Sequence, residues 1–355
     1  MAAHRPSRRD DFHVAMICAL PLEYDAAVLA FDEIWAGLED DLGKAVQDPN
    51  IYTLGRIGKH NVVLVFLSGM GKFNAASATA NLHSSYCELR LALLCGLCGS
   101  VPNIDGTNEV LLGDVIISNS VVQYDLGRRY PSQFAPKDTI GDSLGRPTKE
   151  IRSLLIGFET QRKRQELQRL VSQNLAVVQR KAVEDGYDVD YSRPRAEDVL
   201  FQSDYLQRHR EQKQCGRSES YICNKAAKAP CEELKCDVCH QVPRKRLQTR
   251  GEQQPPSESQ RPRVFVGQIG SGDTVMKSGQ HRDCIAREHG LIAFEMEGAG
   301  IWDEIPCIIV KGVCDYADSH KNKEWQCYAA ATAASTMEAL LGRFMPMSNS
   351  VAPAI

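Results

Sequence analysis

Short, almost wholly apolar runs recur along this chain, and each ends in a proline, a glycine-rich stretch or an acidic residue. Phe12 to Leu20 stops at Pro21, and Leu89 to Gly96 runs into GLCGS (96–100). Val264 to Ile269 runs into GSGD (270–273), Gly290 to Phe294 into FEMEGAG (294–300), and Cys307 to Val313 into Cys314-Asp315. A run with no polar face must be covered on both sides, so these segments read as strands buried between layers. Ile51 to Ile57 and Val62 to Leu67, joined by Gly-Lys-His-Asn, read as a hairpin, and GDVIIS (113–118) as a further strand. Helical spacing marks residues 22–35, the small-residue stretch after SGMGK (68–72), and residues 322–342. The expected fold is α/β, with three layers and a mixed, largely parallel central sheet flanked by helices. In such sheets ligands bind beyond the carboxyl ends of the strands, where glycine-rich turns let backbone approach closely.

From about 137 to 262 the character changes. A long charged helix is expected over 150–183, followed by a cysteine-rich polar stretch and GEQQPPSESQRPR, which reads as a flexible loop. The expected organisation is a basic tail over 1–11, one domain over 12–345 interrupted by a helical or disordered insertion at about 137–262, and a tail over 346–355. A net charge of −3 gives no general reason for a nucleic-acid partner. No run reaches the ~18 apolar residues needed to span a bilayer, and the N-terminus lacks the pattern of a secretory signal. A cytoplasmic protein with no membrane partner is expected. Several of the 13 cysteines, among them Cys18, Cys95, Cys98, Cys307 and Cys314, sit in apolar runs, where a free thiol acts as a small hydrophobe.

The residues with chemistry to offer are acids at strand ends: Glu23 after the first strand, Glu295 and Glu297 in FEMEGAG, and Asp315 in IIVKGVCDYAD. Cleaving a ribose–base bond requires protonating the base, holding the sugar, and placing a nucleophile on the opposite face. A carboxyl group can serve each need. An acid that is partly desolvated at a strand end can hold its proton at neutral pH. Acids after strands also cap the next helix, and taken singly each site is open to that plainer reading.

Taken in order and at these separations, SGMGK, GLCGSVP, GDVIIS, GSGD, FEMEGAG and VCDYAD resemble the nucleoside phosphorylase/nucleosidase superfamily, which includes methylthioadenosine/adenosylhomocysteine nucleosidase. CALPLEYDA, VQYDLGRRYP and CDYADSHKNKEWQ are similar to a fungal branch found as purine nucleosidase domains of immune-type effectors. The resemblance covers residues 12–126 and 264–342 and implies roles. Glu23 and Asp315 are the expected catalytic residues, Glu23 orienting the attacking water and Asp315 protonating the base. Met296 and Glu297 would hold the ribose. Ser68, Gly69, Met70, Cys98 and Gly99 would line sugar and base, with Val275 and Met276 where bacterial relatives place a stacking aromatic. Tyr187, Phe201 and Tyr205 are alternative stacking residues, and Cys314 stands where the family has serine.

Phosphorylases of this family hold phosphate with two arginines and a serine. Those places fall here on Glu23, Leu94 and Leu97, so water is the expected nucleophile. A phosphate-dependent purine nucleoside phosphorylase and a non-catalytic purine nucleotide sensor are the rival readings. Arg128 and Arg129, with Lys137 nearby, are either a solvated loop or a site for a 5′-phosphate, and the second case makes ATP a candidate substrate. The resemblance also implies a homo-oligomer and allows one domain of a larger signalling protein. No cofactor is expected. Cys236-Asp-Val-Cys239 has the spacing of a zinc half-site, with His209, Cys215, Cys223, Cys231 and His240 nearby but no clear second pair, so structural zinc at Cys236/Cys239 is the lesser alternative.

Overall fold

A computed structural model of the chain describes residues 5–137, 139–209, 223, 225–247, 261–321 and 323–345. Its strands are β1 (Val14–Cys18), β2 (Glu33–Ile34), β3 (Tyr52–Ile57), β4 (His60–Phe66), β5 (Leu91–Ser100), β6 (Asn103–Ile104), β7 (Asn108–Glu109), β8 (Val115–Gln123), β9 (Gly127–Arg129), β10 (Phe134–Pro136), β11 (Val264–Ser271), β12 (Leu291–Glu295) and β13 (Cys307–Asp315). Nine of them form one sheet in the order β12-β11-β8-β13-β5-β1-β4-β3-β2. Parallel pairs (β1 with β4 and β5, β5 with β13, β11 with β8 and β12) outnumber the antiparallel ones. The far edge curls back: β12 also pairs antiparallel with the end of β5, Ala293 opposite Ser100 and Phe294 opposite Gly99. This closure brings the carboxyl ends of β5, β12 and β13 to one place, and Asp315 stands in register with Gly99.

β1, β12 and β13 are buried at every position, as both-face coverage requires. The covering helices are α1 (Pro21–Leu29), α2 (Leu38–Leu42), α3 (Lys72–Ser85), α4 (Lys149–Gly157), α5 (Gln161–Glu184), α6 (Gly279–His289), α7 (Gly298–Ile301) and α8 (Gln326–Leu341). α8 is rich in alanine and packs between α1, α5 and the sheet, where small side chains permit close approach on several sides.

Two expectations meet a different arrangement. GLCGS is not a turn but the second half of β5, a strand ten residues long. The single helix expected over 150–183 is two, α4 and α5, and α5 is built into the core rather than set apart from it. Its Leu167, Val171, Leu175, Val178 and Ala182 recur at spacings of three and four and join the main hydrophobic cluster. Lys181 donates to the carbonyls of Leu29 (3.1 Å) and Phe31 (2.6 Å), closing the end of α1. Among the described residues, no helix is long and apolar enough to cross a membrane.

Candidate active site

Glu23 lies in the first turn of α1, where a glutamate reaches back to the open N–H groups of the helix start. Its Oε2 accepts from the N–H of Ala19 (3.0 Å) and Leu20 (2.9 Å), and Oε1 accepts from Leu97 N–H on β5 (2.8 Å). The side chain is buried, and a Cβ at Gly96 would overlap its carboxylate. Glycine at 96 therefore allows a carboxyl group from the helix to lie against the middle of a strand. Burial pushes the Glu23 carboxyl above the ordinary glutamate range. The ammonium of Lys311 opposes that shift and the charge of Glu297 adds to it.

Two acids stand where β12 passes into α7, Glu295 as the last residue of the strand and Glu297 as the cap of the helix. Glu295 is spent on structure: its oxygens accept from the N–H groups of Glu297 (2.9 Å) and Gly298 (3.0 and 2.9 Å) at the start of α7. Glu297 accepts from Gly71 N–H at 3.3 Å on Oε1 and from Lys311 at 3.0 Å on Oε2. Lys311 comes from the middle of β13, is 1% exposed, and also lies 3.7 Å from Glu295. Burial alone would lower its pKa, but Glu297, Glu23 and Glu295 outweigh burial and hold it above the ordinary lysine value. One buried cation thus balances part of the charge of three buried acids.

Asp315 closes β13. Its Oδ1 accepts from Ala317 N–H at 2.8 Å, and its Oδ2 is 2.9 Å from Lys321 Nζ. Ala317 adopts a positive φ of 51°, which turns the chain back under the carboxylate. A Cβ at Gly99 would stand 2.6 Å from Asp315 Oδ1, so this second glycine of β5 also makes room for an acid. Cys314 directs its thiol to Cys98 O at 3.5 Å and lies 3.6 Å from Asp315 Oδ2.

Glu23, Glu297 and Asp315 line one cavity of about 150 Å³. Of the other expected site residues, Met70, Cys98, Gly99, Val275, Met276 and Met296 line it as well. Ser68 and Gly69 do not. Ser68 is exposed, and its hydroxyl faces Asn74 at 3.4 Å. Arg128 and Arg129 are exposed on the β9–β10 ribbon, which carries them away from the sheet after β8. Tyr187, Phe201 and Tyr205 are also outside the cavity; Phe201 and Tyr205 stack on each other and on His320. The aromatic ring that does line the cavity is Phe294, packed edge-on against Tyr124 at 5.5 Å. Sequence reasoning passed over Phe294, Lys321 and Lys311. The lysine of SGMGK is used to hold loops: its Nζ is 2.5 Å from Asp125, and its N–H donates to Asp273 of GSGD at 2.9 Å.

A curled mixed sheet with buried acids at three adjoining strand ends is the frame of a nucleoside phosphorylase/nucleosidase-like α/β protein. Residues 13–172 match the phosphorylase superfamily. A nucleotide-binding leucine-rich repeat (NLR)-like protein of Hyaloscypha variabilis is 31% identical over 355 residues, covering 98% of this chain and 31% of that protein. The chain thus spans about a third of that relative's length. A mutant of Helicobacter pylori MTAN with 5′-methylthioadenosine in its active site shares the fold (TM-score 0.51, 13% identity, 94% of this chain and 99% of that one). The native futalosine hydrolase of H. pylori strain 26695 shares it too (TM-score 0.50, 14% identity, 94% and 98%).

Proposed function

We propose that the chain hydrolyses the N-glycosidic bond of purine nucleosides. The observation that carries this reading is the convergence of Glu23, Glu297 and Asp315 on one cavity, each held by backbone N–H groups. A carboxylate has about four acceptor sites, and three on Glu23 are filled, which leaves one on Oε1 for a water molecule. As that water attacks C1′, its proton passes to Glu23, the bond from C1′ to the base breaks, and Asp315 delivers a proton to the departing base. Glu297 accepts from the ribose hydroxyls, with Lys311 fixing its orientation. Solvent then returns the proton from Glu23 to Asp315. A pKa raised by burial brings Glu23 closer to the working pH of a general base.

The walls of the cavity favour water over phosphate. Among the described residues that line it there is no arginine, and Leu97 offers its N–H to Glu23 rather than to an anion. The cavity is narrower than the ~300–1,000 Å³ usual for ligand sites. Met70 and Val275, 51% and 47% exposed at its rim, are the side chains that can move aside at least cost. Base release is the decisive assay, measured by chromatography on adenosine, methylthioadenosine, AMP, ATP, inosine and guanosine with and without inorganic phosphate. Free base and a sugar unphosphorylated at C1′, indifferent to phosphate, support the reading. Release only with phosphate makes the chain a phosphorylase, and tight binding without release makes it a sensor.

A 5′-phosphorylated substrate such as ATP is the finer form of the proposal. The ribbon bearing Arg128 and Arg129 starts two residues after Asp125, whose carboxylate holds Lys72 next to the Gly71–Glu297 contact. A preference for AMP or ATP over adenosine that Arg128→Ala abolishes supports it. The match to an NLR-like relative three times as long fits a nucleosidase unit within a larger signalling protein.

A further inference from the structure

Five residues past Asp315 the chain reaches His320, whose side chain is 3% exposed. The ring is stacked on Phe201, with centroids 4.2 Å apart, and lies nearly parallel to Tyr205 at 5.6 Å, so its plane is fixed. Nδ1 faces Ser319 Oγ at 3.4 Å and Asp318 Oδ1 at 4.0 Å, whereas the buried Nε2 has no hydrogen-bond partner among the described residues. A buried nitrogen left unsatisfied forfeits the hydrogen bond it would make in water. Two half-buried thiols come to the same place: ligand atoms of Cys231, Cys236 and His320 all lie within 4.8 Å of one another.

We propose that Cys231, Cys236 and His320 bind a zinc ion, which fastens the segment 225–247 to the loop that carries Asp315 and Lys321. Tetrahedral zinc, with Zn–S of about 2.3 Å and Zn–N of about 2.0–2.1 Å, spaces its ligands about 3.4–3.8 Å apart, a small contraction from the geometry present. Two thiolates and an imidazole select zinc over magnesium or calcium, which take oxygen ligands. The orphaned Nε2 is the nitrogen left to ligate. Asp318 stands behind Nδ1, where metal-binding histidines commonly keep a carboxylate that sets the ring's tautomer. Water or another side chain completes the fourth position. The two segments are already aligned: Gln207 N–H donates to Ser319 Oγ at 2.9 Å, and Gln207 Nε2 donates to Ala229 O at 2.6 Å. The thiols are set by a turn in which Cys236 N–H donates to Cys231 O at 3.0 Å. Cys239, which sequence spacing pairs with Cys236, is exposed and lies outside the group, so Cys236 finds its partners five residues earlier and in the C-terminal half.

The test is metal content of the full chain purified without chelator, zinc affinity by competition with a chromophoric chelator, and the absorption spectrum after cobalt(II) substitution. About one zinc per chain and a thiolate-to-cobalt charge-transfer band are expected. Cys231→Ser and Cys236→Ser should each weaken the band and lose zinc, Cys239→Ser should keep both, and Asp318→Asn should lower affinity by about 10–100-fold. None of these readouts depends on base release, so they stand or fall apart from the proposed activity. Should a cysteine variant fail to fold, the cobalt spectrum of the unaltered chain decides. No thiolate band, no zinc uptake at micromolar free metal, or Cys239→Ser as damaging as Cys231→Ser overturns the proposal.

Discussion

Replacing Lys311 by methionine removes the cation from the buried acid cluster while keeping the bulk of the side chain. The ammonium stands 3.0 Å from Glu297 and 3.7 Å from Glu295. At an effective dielectric of about 20, each contact contributes about 4–6 kcal/mol of attraction, from which the desolvation of the ammonium must be subtracted. What the variant loses is set by the acids left without a counter-charge, and removing one partner of a buried pair costs about 3–5 kcal/mol. That cost must depend on pH. Burial already pushes Glu23 and Glu295 above the ordinary value of 4.5, and Lys311 opposes the shift at both. Without it their folded pKa values rise further, so between 4.5 and those values the folded chain binds protons that the unfolded chain has released. Stability then falls as pH rises through that window. The expected deficit is on the order of 3–5 kcal/mol at pH 8 and much smaller at pH 5, read from urea unfolding of both proteins in parallel. A deficit equal at the two pH values, or below about 1 kcal/mol at pH 8, would refute the charge balance argued for this cluster.

Asp315→Asn should lower base release by about 10²–10⁴ with thermal stability preserved, and a rate near that of the unaltered chain removes Asp315 as the proton donor. Glu297→Gln should impair ribosides more than 2′-deoxyribosides, and equal losses on both would contradict its contact with the ribose hydroxyls. Gly96→Ala drives a methyl group into the Glu23 carboxylate; it should cost about 1–3 kcal/mol of stability and a larger share of turnover, and full activity would show that the carboxylate can relocate. At the surface of α8, burial first and then Asp32 raise Glu338 to about 7, so its folded form keeps a proton that the unfolded chain loses above 4.5. Glu338→Gln should therefore add on the order of 1–3 kcal/mol at pH 8 and under about 1 kcal/mol at pH 5, whereas an equal gain at both would point to packing instead.

Much of the sheet is legible in the sequence because its strands are buried on both faces and so need no polar alternation. GLCGS is the instructive exception. Two glycines in five residues look like a turn, yet the strand runs through them to Ser100. What they accommodate lies outside their own segment: the Glu23 carboxylate against Gly96 and the Asp315 carboxylate against Gly99. Glycine marks a close approach here rather than a bend, and only the tertiary structure distinguishes the two. α5 misleads in the opposite sense. Its exposed arginines, lysines and glutamines dominate the segment, but the stripe from Leu167 to Ala182 has core spacing throughout.

At the site, the acids are legible because chemistry and capping both place carboxylates at strand ends, and the two readings prove compatible. Glu23 caps α1 and lines the cavity with the same group, whereas Glu295 is used up in capping α7. The pairings between them are not legible, since Lys311 meets Glu297, and Glu23 meets Leu97, only once the strands are assembled in the sheet. One signal was nonetheless available. A lysine in the middle of CIIVKGVCD cannot be buried alone, because an unpaired ammonium in an apolar layer is too costly. Its presence in that strand requires acids within reach, and the acids available to it are those at the neighbouring strand ends. The same lysine helps keep a buried carboxylate ionised, which is what a site that activates water rather than phosphate needs. With Leu94 and Leu97 at the places where the family resemblance implies phosphate donors, Lys311, which bonds Glu297 and opposes the rise at Glu23, is better matched to balancing these acids than to receiving an anion.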